Sequence, residues 1–206
     1  LSTTDVEGVG EELSPMGTWK VDAPRSWIGF SARHFLVNRV HGRFTSVRGT
    51  VVVADSPGEC GASGTIDAAS IETGDEVRDK HLRSANFLDA ERWPLLHFQS
   101  TAVELTQAGY SVTGDLTIRE LTHPVKLHVH DLSVVKDSRQ ALISQGEHSC
   151  PTGTPGASTV LRCEASGKIN RYDFGLTWAP SIETGGIVVS DEIQLHLTVV
   201  ARRAHG

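Results

Sequence analysis

From Trp19 onward the chain alternates apolar and polar residues with a period of two. The repeat runs through Ile28, Phe30 and Ala32, then Val40, Gly42 and Phe44, then Val51 and Val53. It resumes at Ala62, Gly64 and Ile66, at Leu96 and Phe98, and at Val112, Gly114, Leu116 and Ile118. Val125, Leu127 and Val129, then Ala165, Gly167 and Ile169, then Ile193, Leu195, Leu197 and Val199 complete it. Such alternation marks strands with one face buried and one in water. Asp55-Ser56-Pro57-Gly58 and Gln107-Ala108-Gly109 fall where successive strands must reverse, and their residue types suit turns. Antiparallel strands at hairpin spacing are expected, and closing them on themselves would remove the exposed edges.

Three stretches break the pattern. Residues 1–17 are polar and aperiodic and read as a flexible arm before a domain spanning 18–203. Residues 75–85 place Val77, His81, Leu82 and Ala85 on one side of a 3.6-residue repeat, with Asp75 positioned to cap a short amphipathic helix. A second helical turn is expected over Asn86 to Arg92, ended by Trp93-Pro94. Residues 137–160 are polar, rich in glycine and proline, and form an unusually long loop.

The insert from Thr65-Ile66-Asp67 through Arg78-Asp79-Lys80-His81-Leu82-Arg83-Ser84 to Phe87-Leu88-Asp89 places charged residues and a histidine beside apolar ones, as a lid over a barrel mouth would. Read with Ser26-Trp27-Ile28-Gly29-Phe30-Ser31, Val40-His41-Gly42-Arg43-Phe44, Tyr110 to Ile118 and Asp173-Phe174-Gly175-Leu176-Thr177-Trp178, it resembles the YceI family of lipocalin-like, polyisoprenoid-binding proteins. The similarity covers roughly residues 18–203. It implies an all-β, eight-stranded antiparallel barrel with a short helical lid and an elongated apolar cavity for an isoprenoid or fatty chain. The long 137–160 loop is where the sequence departs most from that family's pattern.

Composition narrows the partners. The formal charge of −6, from 19 basic and 25 acidic residues with no basic run, argues against nucleic acid and anionic membrane surfaces. No apolar stretch approaches the roughly 20 residues that span a bilayer. The first residues lack the charged-then-apolar order of a signal sequence, so a cytoplasmic location is expected, or a periplasmic or secreted one if a leader has been removed. Cys60 shares a face with Ala62 and Cys163 with Ala165, while Cys150 falls in the long loop; buried thiols in a reducing compartment are expected rather than a disulfide framework.

Ala32, Gly42, Ala62, Gly64, Gly114, Ala165 and Gly167 are small for inward positions of an interior that should be densely packed. The residues alone allow two accounts: a void, or barrel corners whose space is filled by large side chains opposite. The resemblance favours the void. The candidate ligand-binding set is Phe30, Ala32, His34, Phe44, Ala62, Gly64, Ile66, Phe98, Val112, Leu116, Phe174 and Trp178, with Arg78, His81 and Arg83 at the lid. Either His34 or His81 could meet a ligand's polar end or be satisfied by backbone groups. Arg78 and Arg83 could donate to a phosphate or hydroxyl head group, or pair with Asp75, Glu76 or Asp79. Trp93 and Trp178 read as plugs or rim residues.

His128 and His130 share a strand face, as two zinc ligands would, but parity with Val125, Leu127 and Val129 sends them outward, and no further ligand completes a site. No metal or other cofactor is expected. No Ser/His/Asp arrangement, phosphate loop or Cys-x-x-Cys pair occurs in the context its chemistry requires, and no catalytic residue is assigned. Two functions remain: a carrier that holds a polyisoprenoid, quinone-like or fatty lipid, and a barrel enzyme that cyclises or isomerises a polyene by orientation alone. A homodimer is the one protein partner entertained.

Overall fold

The computed structural model describes residues 14–34, 38–137, 159–177 and 189–204. The strands are β1 (Gly17–Val21), β2 (Trp27–His34), β3 (Asn38–Phe44), β4 (Val47–Val53), β5 (Gly61–Asp67) and β6 (Ile71–Glu72), followed by the helix α1 (Glu76–Arg83). Then come β7 (Leu95–Thr106), β8 (Gly109–Ile118), β9 (Leu121–Lys136), β10 (Thr159–Asn170) and β11 (Glu192–Arg203). Every pairing is antiparallel.

β1 and β2 share one position in the wall, as do β3 and β4, because together they form one interrupted hairpin. His34 faces Asn38 and Ile28 faces Phe44 in its upper half; Lys20 faces Thr50 and Gly17 faces Val53 in its lower half. With β5, β7, β8, β9, β10 and β11 this makes a closed barrel of 8 strands. β11 closes it by pairing with β2 above and, through Ala201 to Arg203, with β1 below. β6 adds two residues to the edge of β3 at the upper end. Pro124 is tolerated in β9 because the described pairing with β10 starts only at Leu127.

The β1–β2 interruption has a local cause. Pro24 has no N–H for the ladder, and Ala23–Arg25 form a 3-10 turn instead. Ser26 repairs the seam: its Oγ accepts from the Val200 N–H at 3.0 Å and lies 2.9 Å from the Asp22 carbonyl. Arg25 contacts Asp137 at 3.0 Å, while Arg202 reaches Asp22 at 3.0 Å and Asp137 at 3.5 Å. This cluster ties β1 and β11 to the end of β9.

Below it lies a core cluster of Trp19, Val53, Leu161 and Ala201, packed by Met16, Val51, Leu132 and Val134. Trp19 is fully buried, donates Nε1–H to the Pro15 carbonyl at 2.7 Å, and carries the Arg203 guanidinium 4.6 Å from its ring. Residues 14–16, expected in the arm, are therefore held against the barrel; residues 1–13 lie outside the described residues.

At the upper end, Asp75 caps α1 as expected, accepting from the Arg78 N–H at 3.0 Å. The expected apolar face is only half right. Val77 is 82% exposed and Ala85 is exposed, whereas Asp79, His81 and Leu82 turn inward. Asp79 is tolerated because it accepts from the Thr73 hydroxyl at 2.5 Å. The expected second helical turn over Asn86 to Arg92 is a run of turns instead. Asp89 has φ of 50°, which breaks the helical repeat, and the Leu88 and Ala90 N–H groups reach back to the carbonyls of Leu82 and Arg83.

Trp19→Ala should remove the centre of the lower core and cost about 3–5 kcal/mol, as for other large buried aromatics. Denaturant unfolding of the two proteins would show it; a loss below about 1 kcal/mol would mean that the lower end is not held by packing.

Candidate functional site

Between lid and lower core runs a cavity of about 360 Å³, its wall formed by inward residues of the barrel strands. Phe30, Ala32, Phe44, Ala62, Gly64, Ile66, Phe98, Val112 and Leu116 line it, as strand parity predicts, and Arg78 and His81 line it from the lid. His34 ends β2, but its side chain is outside those described; Trp178, Cys150 and residues 138–158 lie outside the described residues altogether.

Two expected contacts stand elsewhere. Arg83 is absent from the lining: Nε donates to the Ala69 carbonyl at 2.8 Å and Nη2 to that of Ile71 at 2.7 Å. It fastens α1 to the barrel rim. Phe174 is 1% exposed and packs in the upper core, edge-on to His123 at 5.4 Å.

The small inward residues do not all mark empty space. A Cβ on Gly42 would lie 2.3 Å from the Phe30 ring, one on Gly114 would lie 2.5 Å from the Phe98 ring, and one on Gly167 would lie 2.8 Å from the Leu127 methyl. These glycines are covered by neighbouring large side chains. Gly64 differs, because the nearest atoms to an added Cβ are backbone, the Arg48 carbonyl at 3.0 Å and the Gly49 Cα at 3.9 Å. The void is therefore lined by Ala32, Ala62, Gly64 and Ala165, while the other glycines let aromatic and leucine side chains lie flat against the wall.

Arg78 spends its guanidinium partly on the loop before α1, donating to the Thr73 hydroxyl at 2.7 Å and the Thr73 carbonyl at 3.0 Å, with Asp75 at 3.9 Å. Arg171 is a lining residue the sequence reading passed over. It is 1% exposed, and it donates to the Leu176 carbonyl at 2.6 Å and the Ser190 carbonyl at 3.2 Å, with the Asp191 carboxylate 3.7 Å away. The signal was present, since Arg171 continues the inward series Ala165, Gly167, Ile169. Leu82, Phe87 and Leu88 also line the cavity from the lid segment.

His128 and His130 are exposed on the outer face, where His130 Nε2 lies 2.7 Å from the Ser166 hydroxyl. Among the described residues no group of three or more His, Cys, Asp or Glu could hold a metal. Cys60 and Cys163 are free thiols that line the cavity and are partly, not fully, buried.

Burial pushes the Cys163 thiol up from 9.0 to about 11, with the charges of Asp131 and Glu164 acting in the same direction. The native state thus holds this proton more tightly than the unfolded chain. Stability from this group is full below pH 9 and falls as pH rises toward 11. Cys163→Ala should flatten the decline between those pH values in denaturant unfolding; an unchanged slope would mean that another group causes it.

The geometry has counterparts in known proteins. Residues 19–201 match the YceI-like domain. Protein YceI of Escherichia coli is 31% identical over 184 residues, covering 88% of this chain and 84% of that protein. BcnA of Burkholderia cenocepacia superposes with a TM-score of 0.64 at 22% identity, covering 88% of this chain and 99% of that one. A polyisoprenoid binding domain from Saccharophagus degradans, implicated in plant cell wall breakdown, superposes with a TM-score of 0.59 at 15% identity over 90% of this chain and 98% of that one. With the family's domain matched across the whole barrel, this chain belongs to the YceI-like family.

Proposed function

We propose that the protein binds and carries a single-chain isoprenoid-like amphiphile, its tail in the barrel and its polar end at the lid. The observation that carries this is the distribution of polarity along one continuous cavity. Strands supply mainly valine, leucine, isoleucine, phenylalanine and alanine to its length, while Arg78 and His81 border it from the lid and Arg171 from the turn after β10, with Arg33, Arg48, Thr50, Ser63 and Tyr110 bordering it elsewhere. An apolar tail gains roughly 25 cal/mol for each Å² removed from water, so tail burial alone can hold the ligand. The polyisoprenoid-binding name of the Saccharophagus degradans domain supports the same ligand class.

The test is organic extraction of the purified protein with mass analysis, followed by titration with prenyl compounds. A bound or titratable prenyl amphiphile is expected, and Ala62→Trp, which fills the cavity, should abolish it. Arg78→Ala and His81→Ala should weaken a prenyl phosphate by tenfold or more, the loss of one charge-assisted hydrogen bond, while leaving a bare hydrocarbon of equal length unaffected. His128→Ala, on the outer face, should change neither. A protein that binds no prenyl compound under any of these conditions would overturn the reading.

A further inference from the structure

The upper end of the β2–β3 hairpin brings two arginines together. Arg33 and Arg39 stand directly opposite one another in the register, so their side chains leave the same face of the sheet. Both are exposed, and like charges placed this way repel. Neighbouring acids do not answer that repulsion. Among the described residues neither guanidinium has an ion pair or a hydrogen bond. Asp191 lies 3.7 Å from Arg171, Glu192 lies 3.0 Å from Lys168, and Glu72 pairs with Arg43 farther down β3. The backbone of Arg33 is nonetheless fixed: its N–H donates to the Ser190 hydroxyl at 3.0 Å, and its carbonyl accepts from the Ser190 N–H at 2.9 Å. Arg33 borders the cavity beside Ala32 and Val40, which face each other across the same two strands.

We infer that Arg33 and Arg39 form a clamp for a phosphate group at the rim of the cavity, where a tail lying inside brings its polar end out. The inference rests on the tail-in orientation proposed above. A phosphomonoester carries close to two negative charges at pH 7, which matches the pair, whereas a hydroxyl or quinone head leaves the repulsion in place. Its oxygens also accept from planar guanidinium forks in the bidentate geometry that arginine favours. Arg78 and Arg171 border the same cavity but spend donors on Thr73 and on the Leu176 and Ser190 carbonyls. Those of Arg33 and Arg39 are uncommitted. The Thr73 methyl lies over Gly42 of β3, so the loop that holds Arg78 packs on the strand that carries Arg39. Lid and clamp therefore border one mouth. The chemistry recognised is the phosphate itself, on a lipid or free in solution.

Geranylgeranyl phosphate, geranylgeraniol and inorganic phosphate, titrated separately, test this. In the unaltered protein the prenyl phosphate should bind at least about tenfold tighter than the alcohol. Arg33→Gln and Arg39→Gln should each remove most of that gain and leave the alcohol within about twofold of its parent affinity. Arg162→Gln, exposed on β10 and away from the cavity, should change neither. Because each clamp substitution relieves a like-charge contact, the unliganded variants should unfold at the same or a higher denaturant concentration than the parent. A lower midpoint would mean that the guanidinium makes a structural contact, and would overturn the clamp. Inorganic phosphate that protects the parent against unfolding as well as the prenyl phosphate does, and protects neither variant, would uphold the clamp with free phosphate as its ligand. Equal affinity for the prenyl phosphate and the alcohol, or a preference that survives both substitutions, would overturn the clamp and leave the carrier reading intact. Failure of both prenyl compounds to bind would overturn the carrier reading and the clamp together.

Discussion

Everything in this molecule depends on the seam at β11. An open sheet of this length would expose an edge, and closing it requires β11 to pair with β10 on one side and with both β1 and β2 on the other. Pro24 makes that double pairing awkward by breaking the strand between its two halves. Ser26 substitutes for the missing ladder bond with its hydroxyl, and the Arg25, Asp22, Arg202 and Asp137 cluster holds the chain ends together around the gap. Trp19, set just below, turns closure into packing. The seam therefore also carries the buried cluster of Trp19, Leu161 and Ala201.

Closure also fixes what the interior can be. An eight-stranded barrel has room for side chains or for one small ligand. Here it divides the space. Phe30, Phe98 and Leu127 cover Gly42, Gly114 and Gly167. An apolar void costs the fold the contacts its lining atoms lack, and an apolar ligand restores them.

The strand pattern, the outward histidines, the Asp75 cap and most of the cavity wall were legible in the sequence because strand parity decides them directly. The resemblance supplied the count of strands and the presence of a void. What escaped was tertiary. Whether a glycine marks space or a neighbour's resting place depends on rotamers across the strand, which alternation does not encode. Arg83 looked like a head-group ligand because its neighbours suggested a mouth, but its bonds go to the Ala69 and Ile71 carbonyls, twelve and more residues back in the chain. Val77 was assigned inward by a helical repeat too short to be decisive, and Arg171 was overlooked because a cation at an inward position looks like the end of a strand.

Arg171 and the lid show how charge can border an apolar chamber. A buried guanidinium is costly unless its donors are met, and Arg171 donates to the Leu176 and Ser190 carbonyls and to the Tyr172 hydroxyl. The Asp191 carboxylate lies 3.7 Å away and half in water. Arg78 is held the same way, by Thr73. α1 is fastened to that rim mainly by such polar contacts, with Leu82 turned inward and Val77 in water, whereas the wall is a continuous hydrogen-bonded ladder over a packed core. Elements held by few apolar contacts and part-exposed hydrogen bonds open at lower free energy than a core sheet does. The fold thus places an easily lifted element over the end of the cavity that Arg78 and His81 border.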